Sequence, residues 1–459
     1  MKNMNNLLKY IPLCFLFINA IFLIYYLAAA TKDVVFMDYW RLSERFIPLV
    51  CNNELTLSDL WTGDWGQRNP LLFSLFCLNI KYLDLNAMVP VYLGVCTICI
   101  YLFLYFQIYI KRIYKPNSIS GQFVMFLPIV LCAFCLNQWE IMETQFSFPF
   151  YLRILIYAVV ICLVDMALTN KKQSQMLTVC IMMPFATCLL SQLYFLGMLL
   201  SVAILLLITT ITDKSKRYFS LKFLFYWIIF NGVGLMVYFY DLGMAEAGGN
   251  LISFLKSIFN GKAFLSFFYL LDSSIMQIKV AHRFNVGLVI LIGIMLSAII
   301  CFCVYEYCKK RMYNISYMPI LCILYGLFSM GAIMYGRMSV YETSDLASSR
   351  YVVDTTMLWI GCLSILAYSW QQTHSKILLH IIIFISCTYM ICDYDVFMQR
   401  EYKAYYKENI ALMCLDVENY TDEDLTIMQA NSPDMVRNSC SLMQHFHLNV
   451  FKDVEEAEE

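Results

Sequence analysis

Apolar runs of membrane-crossing length, separated by short polar stretches, recur along the chain. A spanning helix needs about 20 mainly apolar residues. The pattern predicts eleven spans, near 10–30, 87–110, 120–136, 148–168, 176–191, 196–211, 221–240, 285–305, 317–335, 352–370 and 377–392. The first run has no small-residue cleavage pattern behind a short apolar core, so it reads as an anchor rather than a removed signal. Stretches 70–80 and 251–271 are shorter or interrupted and read as amphipathic, interfacial or re-entrant helices. Residues 393–459 begin Asp393-Tyr394-Asp395 and end Glu455-Glu456-Ala457-Glu458-Glu459, too polar to cross. They read as a small helical tail with a frayed acidic end. The chain is therefore an all-α polytopic membrane protein, with a transmembrane domain over 1–392 and a tail over 393–459. No internal repeat and no inverted pair of broken helices points to a secondary transporter.

Composition agrees with the pattern. Hydrophobic residues make up 61% of the 459 and charged residues only 14%, against about 25% charged in soluble domains. That excludes a soluble multidomain protein, and the apolar content excludes disorder. A net charge of -1 offers no basic face for nucleic acid. The partner the composition demands is the lipid bilayer. Most of the 19 Cys sit inside apolar runs, where Cys behaves as a small hydrophobe. The spacings at Cys96–Cys99, Cys132–Cys135 and Cys301–Cys303 have no second pair in a polar loop to complete a metal site. Cys414 and Cys440 fall in the tail, where a disulfide between them is open.

Charge sets an orientation. The connections holding Lys111, Arg112, Lys115, Lys171, Lys172, Lys214, Lys216, Arg217, Lys309, Lys310 and Arg311 are short and basic, with Asp213 and Glu306 as their acids. Basic loops stay in the cytoplasm, which puts the N-terminus inside and the C-terminus outside. The longer segments 31–86, 137–147, 241–284 and 336–351 and the tail then share the outer face. Asp165 and Asp354 fall within spans.

The outer face carries the candidate chemistry. Asp38 lies just past span one in Val35-Phe36-Met37-Asp38-Tyr39-Trp40-Arg41. A carboxylate among aromatics at a membrane surface is expected to be partly desolvated, which suits a general base. The same loop holds Trp61, Asp64, Trp65 and Arg68, and Asp64 is placed to pair with Arg68. Glu140 and Glu143 stand three apart, beside Trp139, on one helical face. Arg153 lies inside the next span and needs a partner or an aqueous cavity, with Glu143 or Glu140 nearest in sequence. Arg337 and Arg350 bracket a short loop with Ser and Tyr351 donors, an arrangement suited to phosphate. Arg350 is alternatively placed to pair with Asp354. His282-Arg283 is a second, weaker anion candidate. The tryptophans are equally suited to anchoring at the interface. The chain has no Walker A loop, Rossmann fingerprint, His-Glu-x-x-His or Gly-x-Ser-x-Gly, so any donor energy is expected to come with the substrate.

Several segments, in this order, resemble bacterial polytopic members of the GT-C class of glycosyltransferases. They are Asp38-Tyr39-Trp40, Gln138-Trp139-Glu140 with the Phe-rich turn after it, Gly336-Arg337, Ser349-Arg350-Tyr351 with Trp359-Ile360-Gly361, and Leu448-Asn449-Val450-Phe451. Where that pattern has Asn-Glu-His-Arg in loop one, this chain has Trp65-Gly66-Gln67-Arg68 and keeps only the Arg. The resemblance implies an inner-membrane enzyme that moves a sugar from a polyprenyl-phosphate carrier to a surface glycan or lipid-linked acceptor, with inversion. Asp38 would be the base, and Arg337, Arg350 or Arg68 would hold the leaving phosphate. Glu140 or Glu143 would orient the acceptor or share a divalent cation, Mg or Mn, with Asp38. Trp40, Trp61, Trp65 and Trp139 would stack on sugars. The competing expectations are a flippase or transporter of lipid-linked saccharide and an O-antigen-type polysaccharide polymerase.

Overall fold

A computed structural model describes residues 11–63, 67–113, 119–190, 195–242, 251–277, 283, 285–338 and 342–452. Among these residues the regular elements are helices, and none is a strand. Eleven segments are long and apolar enough to cross a membrane: Ile11–Ala30, Met88–Tyr109, Gly121–Met142, Ser147–Asn170, Gln173–Leu190, Phe195–Thr212, Arg217–Phe239, Val286–Lys309, Met318–Arg337, Ser349–Thr373 and Lys376–Met398. They coincide with the eleven expected spans and make the chain a multi-pass membrane protein. Helices satisfy every backbone group internally, which lipid requires.

The tenth span, Ser349–Thr373, is the axis of the bundle. Of its apolar window 94% is buried, against 28% for Val286–Lys309. Yet Val286–Lys309 is the most apolar of the eleven and Ser349–Thr373 among the least. Lipid tails solvate apolar side chains as well as a protein core does, so polar residues are the ones that must turn inward. Asp354, Thr355, Thr356 and Ser364 on the tenth span are all buried. Small residues bring its neighbour close: a Cβ on Gly361 would stand 2.5 Å from the Pro319 carbonyl, and one on Gly326 would meet Leu358.

The two ends of the bundle differ. At one end Arg112 pairs with Asp165 (2.8 Å), Asp165 accepts from the Tyr317 N–H (2.6 Å), and Lys216 donates to the Tyr317 hydroxyl (2.9 Å). This basic end gathers the short, Lys- and Arg-rich connections. The opposite end gathers the longer loops and the tail. The shorter apolar stretches are helices there, Pro70–Leu83, Leu251–Phe259 and Lys262–Ser273. The last two are parted at Gly261, whose φ of 79° favours glycine.

The tail is a folded cap. Helices Arg400–Leu415 and Pro433–His445 pack on loop-one helices Tyr39–Cys51 and Pro70–Leu83 in a second hydrophobic core. Asn449 ties it down, donating to Asp33 (3.0 Å) and the Leu85 carbonyl (2.9 Å), while its N–H donates to the Asp84 carbonyl (2.8 Å). Asp33 also caps the start of the second span through the Ala87 N–H (2.6 Å). Two expectations need correcting, and the open question of a disulfide is answered. The last span continues past 392 to Met398, because Asp393 lies within the helix and accepts the Leu136 N–H at 2.7 Å. Cys414 and Cys440 are both buried in the second core as free thiols, not a disulfide. Trp40, expected at a sugar or an interface, is fully buried between loop one and the cap, where its indole N–H donates to the Met428 carbonyl (3.1 Å). The acidic end 455–459 lies outside the described residues.

Replacing Trp40 by Ala should therefore destabilise the protein by about 3–5 kcal/mol. Unfolding in detergent, with limited proteolysis of the cap, checks this; intact cap protection with unchanged unfolding would contradict it.

Candidate functional site

The short connection that closes the third apolar segment organises the loop end. It begins as a 3-10 turn, Leu136–Gln138, then one helical turn, Trp139–Met142. Asp393 caps the turn. Asn137 donates to the carbonyls of Ser273 and Met276 (2.5 and 2.8 Å) and so ties down helix Lys262–Ser273. Gln138 accepts from Tyr151 (3.0 Å).

The two candidate acids of this connection have separate partners. Glu140 accepts from the hydroxyls of Ser348 (3.0 Å) and Ser349 (2.9 Å), and Arg350 Nε stands 3.3 Å from its Oε1. Glu143 is buried, accepts from the Tyr26 hydroxyl and pairs with Lys403 (2.6 Å). Its backbone carbonyl accepts from Lys407 (2.6 Å), which also donates to Thr31 (2.8 Å). Burial pulls Lys407 down to about 8; Glu143 raises it and Lys403 lowers it further. Lys403 lies over the Trp139 ring at 3.9 Å. One residue of the loop thus joins the first span to the cap.

The arginine pairings differ from those expected. Arg153 pairs with Asp354 (2.7 Å), which also accepts from Tyr325, so neither Glu140 nor Glu143 is its counter-ion and Arg350 does not pair with Asp354. Depth explains the exchange. Arg153 and Asp354 each lie five or six residues into their helices, about 8 Å below the loop at 1.5 Å per residue. Arg68 is not placed to hold a phosphate. It is buried and donates to the carbonyls of Trp61 (2.6 Å), Tyr238 (2.9 Å) and Tyr240, closing the end of helix Arg217–Phe239.

Other expected residues fall as follows. Asp38 is exposed at the start of helix Tyr39–Cys51, not desolvated among aromatics, because Tyr39 and Trp40 turn into the core while Asp38 turns out. Arg350 is 37% exposed, and its guanidinium lies 5.7 Å from the ring of the buried Tyr351. Arg337 is half-buried at the end of its helix and Arg283 is exposed. Cations already lie over Trp61 and Trp139, from Arg68 (5.0 Å) and Lys403. His282, Asp64 and Trp65 lie outside the described residues.

The carboxylates do not fit a shared divalent cation. Glu140 and Glu143 are held by cations and hydroxyls, and among the described residues no three His, Cys, Asp or Glu side chains gather as ligands.

Two features were missed in the sequence. A narrow cleft with room for about one water opens beside Glu143, lined by Thr31, Phe36, Gln145 and Lys407 among others. Asp272, in an apolar helix, is 0% exposed with no hydrogen-bond partner for either oxygen among the described residues, and burial pushes its carboxyl up to about 8. No sequence signal distinguishes it from an acid at the end of an interfacial helix.

No protein-family model matches the chain, and no curated protein matches it.

Asp272 generates a pH prediction. An unfolded Asp titrates near 3.9, so between about 4 and 8 the folded state keeps a proton that the unfolded state has lost. Raising pH through that window should lower stability. Thermal unfolding of wild type and Asp272→Asn from pH 5 to 9 should show the wild type losing ground to the variant as pH rises; parallel curves would contradict this. Separately, Asp354→Asn should cost about 3–5 kcal/mol by stranding the buried Arg153 charge, read from unfolding in detergent.

Proposed function

We propose that the protein is an inverting glycosyltransferase, moving a sugar from a polyprenyl-phosphate carrier to a glycan or lipid-linked acceptor. It works at the loop end, on the outer face of a bacterial cytoplasmic membrane. The observation that carries the reading is an exposed carboxylate on a fixed support, two residues along the chain from one that lines a polar cleft. Asp38 starts a helix anchored by the buried Tyr39 and Trp40, and Phe36, two residues earlier, lines the cleft. The basic loops at the opposite end support the orientation, and the order of the resembling segments supports the reaction class.

In this mechanism Asp38 takes the proton of the acceptor hydroxyl as its oxygen attacks the anomeric carbon. The bond from that carbon to the phosphate oxygen breaks from the opposite face, and the carrier leaves as polyprenyl phosphate. Arg350, part-exposed and steadied by Glu140 and Ser348, faces the growing charge, with Arg337 as the second candidate. Fixed cations at a site of developing charge need no reorganisation during reaction. Arg68 and Arg153 are committed to the fold and carry no step. Glu143 positions the cap, and no step runs through a metal.

In lipid nanodiscs supplied with polyprenyl-phosphate glucose and a lipid-linked oligosaccharide acceptor, Asp38→Asn should reduce transfer by about 100-fold or more, with unchanged unfolding. Unimpaired transfer would remove Asp38 as the base. One sugar per acceptor is expected; a ladder of repeats would mark a polymerase, and carrier flux without acceptor a flippase.

A further inference from the structure

We propose that Gln145 reads a hydroxyl group of the saccharide, taken into the cleft past Phe36; this inference rests on the saccharide reading above. Gln145 lines the cleft and is 3% exposed, and neither its Oε1 nor its Nε2 has a hydrogen-bond partner among the described residues. A buried amide with neither end paired costs stability. The residues around it are not loosely placed. Thr144 donates to the Glu140 carbonyl (3.0 Å), Ser147 donates to the Val91 carbonyl (3.4 Å), and Glu143 is held by Tyr26 and Lys403. Among the described residues of this closely bonded loop, Gln145 alone has neither end of its amide paired.

The chemistry of the cleft selects the ligand group. An amide donates through Nε2 and accepts through Oε1, which matches a hydroxyl, itself a donor and an acceptor. The cleft's two cations are already engaged: Lys407 donates to Thr31 at 2.8 Å and to the Glu143 carbonyl at 2.6 Å, and Lys32 pairs with Glu408 at 3.8 Å. Room for about one water admits a hydroxyl and is too small for a phosphate. Phe36 is half-buried at this cleft, its ring edge-on to Tyr406 at 5.9 Å, and supplies an apolar surface for the C–H face of a sugar. A site built to bond a hydroxyl rejects analogues that lack it. Gln145 is therefore assigned as a specificity residue, distinct from the groups that perform the transfer.

The test is saturation-transfer NMR on the full chain in nanodiscs, with the methyl glycosides of glucose, galactose, mannose and N-acetylglucosamine as probes. At least one should bind the wild type. Gln145→Leu should weaken that binding at least about tenfold while melting at the same or a higher temperature, since it removes an unpaired amide. Gln145→Met serves if Leu does not fold. Displacement of the bound glycoside by polyprenyl-phosphate glucose assigns the site to the donor sugar; no displacement assigns it to the acceptor. No glycoside bound by the wild type, or equal binding by wild type and variant, would overturn the inference. Because binding is read without turnover, Gln145-dependent binding with no transfer would sink the transferase reading alone. Transfer with Gln145-independent binding would sink this inference alone.

Discussion

The loop end depends on one buried carboxylate. Glu143 accepts from Tyr26 on the first span and from Lys403 on the cap, while its own carbonyl holds Lys407. A carboxylate this deep is tolerated only when paired and hydrogen-bonded. Each partner supplies that pairing from a different part of the chain. Satisfying Glu143 therefore fixes the first span, the short loop and the tail against each other. The same rule governs two more buried acids, while Asp272, which has no partner among the described residues, holds its proton instead. Asp165 pairs with Arg112 at the basic end, and Asp354 with Arg153 and Tyr325 below the loops.

This constraint separates groups buried in the framework from groups exposed on it. Arg68, Arg153, Glu143 and Trp40 are buried and bonded. Asp38 and part of Arg350 stay open, each on a rigid support. Precise placement by a bonded framework is what a transfer reaction needs from its protein. The cleft beside Glu143 lies where that framework meets the first loop, so its shape is set by the same contacts.

Much of the fold was legible in the sequence because lipid imposes a simple length and polarity rule. The eleven runs emerged as eleven spans, and the basic connections gathered at one end. Boundaries failed where a polar residue is satisfied inside a helix: Asp393 reads as the start of a tail but caps a turn from within the last span. Pairings failed for a related reason. Sequence spacing suggested that Arg350 reaches Asp354 one turn away, whereas helix depth gives Asp354 to Arg153 and leaves Arg350 to Glu140. Asp38 was found from its place after the first span, but its exposure depends on which way Tyr39 and Trp40 turn, and the cap decides that. Gln145 and Asp272 gave no signal, since an unpaired buried group is visible only once its neighbours are known.

A double-mutant cycle of Glu143→Gln and Lys403→Met, followed by unfolding in detergent, tests the Glu143 junction most directly. Joined as described, the two residues should show a coupling energy of about 1–3 kcal/mol. Single effects that add to within about 0.5 kcal/mol would contradict the account and leave the cap held by its hydrophobic core alone.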